Sequence, residues 1–133
     1  MDKKKLFISC PMNGRTEENI KKSMEKMHKI AEIVFDQKLE LIDSYAEENP
    51  PENVNQGIWY LGKSIQLLSK ADYFIGIDYN DFWKGCLTES RIAQMYGIPM
   101  TCVQLDELMP DAVEAQNKYW SNMVKTCRIP TKI

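Results

Sequence analysis

Four short apolar runs, at residues 6–8, 39–42, Tyr73–Ile77 and Met100–Val103, are separated by longer segments with helical spacing, and this alternation constrains the fold most. Ile20, Met24, Met27, Ala31, Val34 and Phe35 recur at three- and four-residue steps, as do Ile58, Leu61, Ile65 and Leu68. Such spacing puts one apolar stripe on each helix. Near-continuous apolar strands joined by helices of ten or more residues are the signature of βαβ units and a parallel sheet covered on both faces. The order β-α-β-α-β-α-β-α reads as a compact doubly wound sandwich, and crossover handedness leaves few other topologies.

Punctuation between the runs agrees with this reading. Thr16 before Glu17-Glu18 is a helix N-cap followed by first-turn acids. Residues 43–55 are polar and contain Pro50-Pro51, which marks a long loop of the kind that serves as a lid or binding segment. Gly97-Ile98-Pro99 closes a helix read over residues 90–96, and residues 111–124 form a last helix whose Tyr119, Trp120 and Met123 give it an aromatic side. The residues around Pro130 read as a tail.

A chain of 133 residues is one domain by size. A formal net charge of −2 gives no electrostatic reason to expect binding to a nucleic-acid backbone, and no apolar stretch approaches a membrane span. Cys10, Cys86, Cys102 and Cys127 are widely spaced and there is one histidine, His28, which reads as an exposed structural residue. This pattern speaks against a zinc site and for reduced thiols in a cytoplasmic setting, and no cofactor or metal is implied.

Candidate chemistry gathers around Gly85-Cys86-Leu87-Thr88-Glu89, between the third strand and the following helix. Ligands of open parallel sheets sit at the carboxyl ends of strands. Glu89 is expected in the first turn of its helix, where unpaired N–H groups favour an ionised carboxylate suited to nucleophilic attack; a first-turn glutamate also simply complements the helix dipole. Asp78, Asn80 and Asp81 crowd the same strand end and read either as ligand-holding groups or as turn formers.

The first strand ends in Ile8-Ser9-Cys10-Pro11-Met12-Asn13-Gly14; a helix runs into Lys70-Ala71-Asp72; and Gly85-x-x-x-Glu89-x-x-x-Ala93-x-x-x-Gly97-x-Pro99 follows. Together these resemble the nucleoside 2-deoxyribosyltransferase superfamily, and within it the small phage and bacterial domains catalogued as DUF4406. The resemblance spans roughly residues 5–105, leaving a C-terminal helix and tail at 106–133. It implies a flavodoxin-like or Rossmann-like three-layer sandwich with a parallel sheet of four to five strands. It also implies cleavage or transfer at the N-glycosidic bond of a nucleoside or nucleoside 5′-monophosphate, through a covalent sugar ester on Glu89. Ser9, Pro11, Met12, Asn13, Gly14 and Arg15 would meet the substrate, with backbone N–H groups and the Arg15 charge available to a 5′-phosphate. Asp72 matches a structural aspartate, and Gly85 opens the nucleophile string.

The chain departs from the family at three places. Phe7 stands for a tyrosine, Ser64 for the aspartate that handles the leaving base, and Trp83 for an acidic residue. A serine hydroxyl is no carboxylic acid, so Asp78 or Asp81 is the replacement proton donor the sequence offers, and Trp83 is available to stack on a base. These departures open an alternative, a catalytically inactive nucleotide-binding or sensing domain. Family members complete their pockets with a neighbour's C-terminal region, and Tyr119-Trp120-x-x-Met123 suits such contact, so a homo-oligomer is expected.

Overall fold

The computed structural model describes residues 3–43 and 49–127. In chain order these form β1 (Lys4–Ile8), α1 (Glu17–Val34), β2 (Leu39–Leu41), α2 (Gln56–Leu68), β3 (Tyr73–Ile77), α3 (Lys84–Met95), β4 (Met100–Val103), α4 (Leu105–Leu108) and α5 (Pro110–Cys127). The strands make one four-stranded, all-parallel sheet in the order β2-β1-β3-β4. The chain winds from β1 to β2 in one direction and to β3 in the other. The carboxyl ends of β1 and β3 therefore form the topological switch point at which flavodoxin-like sheets open a crevice.

Alternation along the strands divides the core into two layers. Leu6, Ile8, Ile75, Ile77 and Val103 pack with Met27 and Ala31 of α1 and with Leu105, Met109 and Ala112. On the opposite face, Phe7 and Phe74 stack at 5.9 Å between ring centroids and pack with Leu68 of α2 and Ala93 of α3. The result is an α/β three-layer sandwich with β1 and β3 buried at its centre.

Local signals place most of the helices. Thr16 accepts a hydrogen bond from the Asn19 N–H at 3.2 Å, and Asn55 caps α2 in the same way from the Ile58 N–H at 3.0 Å. Asn55 closes the long loop read at residues 43–55; residues 44–48 of that loop, and the tail around Pro130, lie outside the described residues. His28 is half-buried rather than exposed and is structural. Its Nε2 lies 2.9 Å from the Leu39 carbonyl oxygen, while Glu32 accepts from the Leu39 N–H at 2.9 Å, so α1 grips the start of β2. Asp72 is structural as read, accepting from the Lys5 N–H at 2.8 Å while its own N–H donates to the Lys5 carbonyl at 2.9 Å.

One boundary differs. The helix read from residue 90 begins at Lys84, because Trp83 and Cys86 both bury into the core and draw the preceding residues into helical register. A short helix, α4, also lies between β4 and α5.

Gly76 sets how closely α3 approaches the sheet. A Cβ there would lie 2.7 Å from Phe74 Cε1 and 3.2 Å from Ser90 Oγ. Phe74 is fully buried and cannot swing away. Gly76→Ala is therefore expected to cost about 1–3 kcal/mol in denaturant unfolding.

Candidate active site

Ser9 continues β1 past its last residue. Its backbone N–H donates to the Ile75 carbonyl at 2.9 Å, so the β1–β3 ladder extends by one rung. Period-two alternation then turns its side chain to the same sheet face as Phe7, the face covered by α2 and α3. There the Ser9 hydroxyl donates to Glu89 Oε1 at 2.6 Å, joining residues 80 apart in sequence. Ser64 of α2 faces the same carboxyl group closely enough to lower its pKa. Glu89 is 8 % exposed and lies on the buried side of α3 with Cys86 and Ala93. A strand end and two helices thus converge on one carboxyl group.

Glu89 is not in the first turn. With α3 starting at Lys84 it stands in the second, beyond the unpaired N–H groups at the helix end. Burial raises its pKa above the ordinary carboxylate value, and the hydrogen bonds from Ser9 and Ser64 offset this only in part. The expectation of a carboxylate ionised by the helix terminus is therefore corrected. The environment shifts the balance toward the proton-bearing form, and the Ser9 hydroxyl is what the structure places against the anion once the proton leaves. Cys86, one helical turn before Glu89, is a further member of the cluster. Burial pushes its thiol up to about 12, with a hydrogen bond to Ser9 working the other way and the Glu89 charge adding to the rise. Cys10 is raised by burial as well, despite the nearby Arg15 charge. Neither thiol is a ready nucleophile at neutral pH.

Arg15 is placed differently from its expected role. Its side chain is 0 % exposed and turned inward, where Nε and Nη2 donate to the two Asp111 carboxylate oxygens at 2.7 and 3.0 Å. Nη2 also donates to Ser23 Oγ at 2.7 Å, and Nη1 donates to the Pro11 carbonyl at 2.9 Å and lies near Cys10 Sγ and Met109 Sδ. Burial works against the guanidinium charge, and Asp111 outweighs it, holding Arg15 more firmly protonated than usual. The Arg15 hydrogen bond in turn holds the Asp111 carboxyl below its ordinary value. Glu17 and Glu18 occupy the first turn of α1, where a phosphate would otherwise find free N–H groups.

The remaining candidates divide. Pro11 is buried, whereas Met12, Asn13 and Gly14 are exposed in a turn closed by the Arg15 N–H to the Met12 carbonyl at 3.1 Å. Gly14 has φ +76, and a Cβ there would come within 3.3 Å of the Ala115 side chain, so this turn rests against α5. Asp78 accepts from the Leu105 N–H at 3.2 Å and lines, with Asn80, Cys86, Ser90, Arg91 and others, a cavity of about 210 Å³ that Glu89 does not line. Asp81 and Gly85 are exposed. Trp83 belongs to the core, edge-on to Phe82, and its indole N–H is buried without a hydrogen-bond partner. It offers no open stacking face. Comparison of the chain with protein-family models, curated proteins and solved structures yields no match.

The raised pKa of Glu89 fixes the sign of its effect on stability. Its contribution is fully present below the unfolded value near 4.5 and is lost as pH rises through the higher folded value. Glu89→Gln removes that loss. It is expected to raise the melting temperature at pH 7 by roughly 3–5 °C, the equivalent of about 1 kcal/mol in a domain of this size. A thermal melt series should show the gain disappearing below pH 4.5.

Proposed function

We propose that the protein cleaves or transfers the N-glycosidic bond of a nucleoside, with Glu89 as the nucleophile. The observation that carries this reading is the buried Glu89 carboxyl group held by the Ser9 hydroxyl at the β1–β3 switch point, with Ser64 of α2 beside it. The resemblance of the G-x-x-x-E string and the first loop to the deoxyribosyltransferases supports it.

In the first step, ionised Glu89 attacks C1′ on the face opposite the base. The C1′–N bond breaks, its electron pair leaves with the base nitrogen, and a sugar–Glu89 ester forms. Water or a second base then attacks C1′ and returns the carboxylate. Ser9 and Ser64 hold the carboxylate for attack and receive it again as the ester breaks. The proton for the departing base comes from solvent, since Ser64 stands where the resemblance expects an acid, Asp78 is engaged at Leu105 and Asp81 is exposed. The engagement of Arg15 by Asp111 favours an unphosphorylated sugar over a 5′-monophosphate. The half-exposed Tyr119 and Trp120 are the surface we assign to self-association, and free Cys10, Cys86 and Cys102 suit a cytoplasmic setting.

The burial of Glu89, which opposes its charge, with a serine in place of the acid, favours a second reading, a domain that binds a nucleotide or nucleoside without cleaving it. Incubation with deoxyribonucleosides and their 5′-monophosphates, with free base followed by chromatography, separates the two. Base release is expected, with an acidic limb displaced above the ordinary carboxylate range because Glu89 must lose its proton to attack. Glu89→Ala should lower the rate by roughly 10³-fold or more, and Ser9→Ala by about 10–100-fold. Ligand-induced thermal stabilisation without base release would instead establish the binding domain.

A further inference from the structure

We propose that Arg15 and Asp111 are positioning residues that hold the Ser9 hydroxyl on Glu89, so that α5 is tied mechanically to the carboxylate of the site. Arg15 is a single point of attachment for three parts of the molecule. It binds Asp111 at the start of α5, the Ser23 hydroxyl and Asn19 carbonyl of α1, and the Pro11 carbonyl, which lies two residues beyond Ser9. Nη1 also contacts Cys10 Sγ, the side chain next to Ser9 in the chain. The segment carrying Ser9 is thus pinned on one side by the sheet rung to Ile75 and on the other by a buried, bidentate ion pair. The Gly14 turn against Ala115 adds a second contact between the same loop and α5.

The energetics give the pair the required stiffness. A guanidinium with no exposed surface cannot stay in place once its carboxylate is lost, because an unpaired buried charge drives rearrangement of the segment that bears it. Rearrangement of residues 10–15 leaves Ser9 with only its sheet rung, and its hydroxyl drifts from Glu89 Oε1. The groups that face Glu89 are Ser9 at the end of β1, Ser64 from α2 and Cys86 on its own helix. Arg15 and Cys10 act at one remove, through Cys86 and the Ser9 segment.

The test is a carboxyl-carbon NMR titration of Glu89 in the full chain, run on the parent and on Asp111→Asn, Arg15→Lys, Ser9→Ala and Leu39→Ala. Leu39→Ala removes core packing where β2 pairs with Lys4 at the start of β1, away from Ser9, and controls for loss of stability alone. Asp111→Asn and Arg15→Lys are expected to move the Glu89 midpoint upward, in the direction of Ser9→Ala, while Leu39→Ala leaves it in place. The sign is diagnostic. Deleting a negative charge at position 111 would by itself lower the midpoint, so an upward move reports displacement of the hydroxyl. Should Asp111→Asn fail to fold, Arg15→Lys decides, since it keeps the charge and loses only the fork. A midpoint unchanged in the folded variants, or unmoved even by Ser9→Ala, would overturn the proposal. The assignment of Glu89 as nucleophile rests on the function proposed above, and the titration does not: base release from the same variants, expected to fall about tenfold with KM unchanged, reports on that reading separately.

Discussion

The rung from the Ser9 N–H to the Ile75 carbonyl decides where everything else at the site must be. It is the last bond of a parallel ladder between the two central strands, and it fixes which sheet face the Ser9 side chain meets. Had the register slipped by one residue, Cys10 would face α2 and α3 and Ser9 would face α1. With the register as found, a hydroxyl stands beneath α3, and a glutamate one turn beyond Cys86 meets it at 2.6 Å. The close approach of α3 over Gly76 brings the helix near enough for that bond to form.

Burying a carboxyl group this deeply stores free energy against the fold rather than for it. The sandwich tolerates Glu89 because burial shifts the group toward its proton-bearing form and because the Ser9 hydroxyl is hydrogen-bonded to it. The opposite solution appears 96 residues apart in sequence at Arg15 and Asp111, where both partners are charged and each holds the other so. Burial opposes the charge of one cluster; in its neighbour each charge is favoured by the other. The contrast is what a reactive group set in a rigid frame requires.

Much of the fold was legible because it rests on periodicity. Strand and helix patterns, the Thr16 cap and the parallel order all follow from local spacing and turn chemistry. The start of α3 was not, since it is set by the burial of Trp83 and Cys86 against residues distant in the chain, a tertiary effect that overrides the helix-start signal. The site divides along the same line. Ser9, Ser64 and Glu89 were each singled out on the sequence, and the structure brings them together. Cys86 follows from Glu89 by helical spacing once the helix start is known. The inward turn of Arg15 had no local signal. An arginine in a Gly-containing loop reads as an anion ligand until a carboxylate far along the chain is seen to claim it.

That distance also orders events as the chain emerges during synthesis. β1 is the first strand made, yet it lies inside the sheet and stays half-paired until β3 appears. Glu89 follows β3, so the hydroxyl–carboxyl contact becomes possible once three strands and three helices exist. Asp111 comes later still. Until α5 docks, Arg15 lacks the carboxylate that binds both its Nε and Nη2. The ion pair joins residues 96 apart in sequence, so it becomes available only after all four strands have been made.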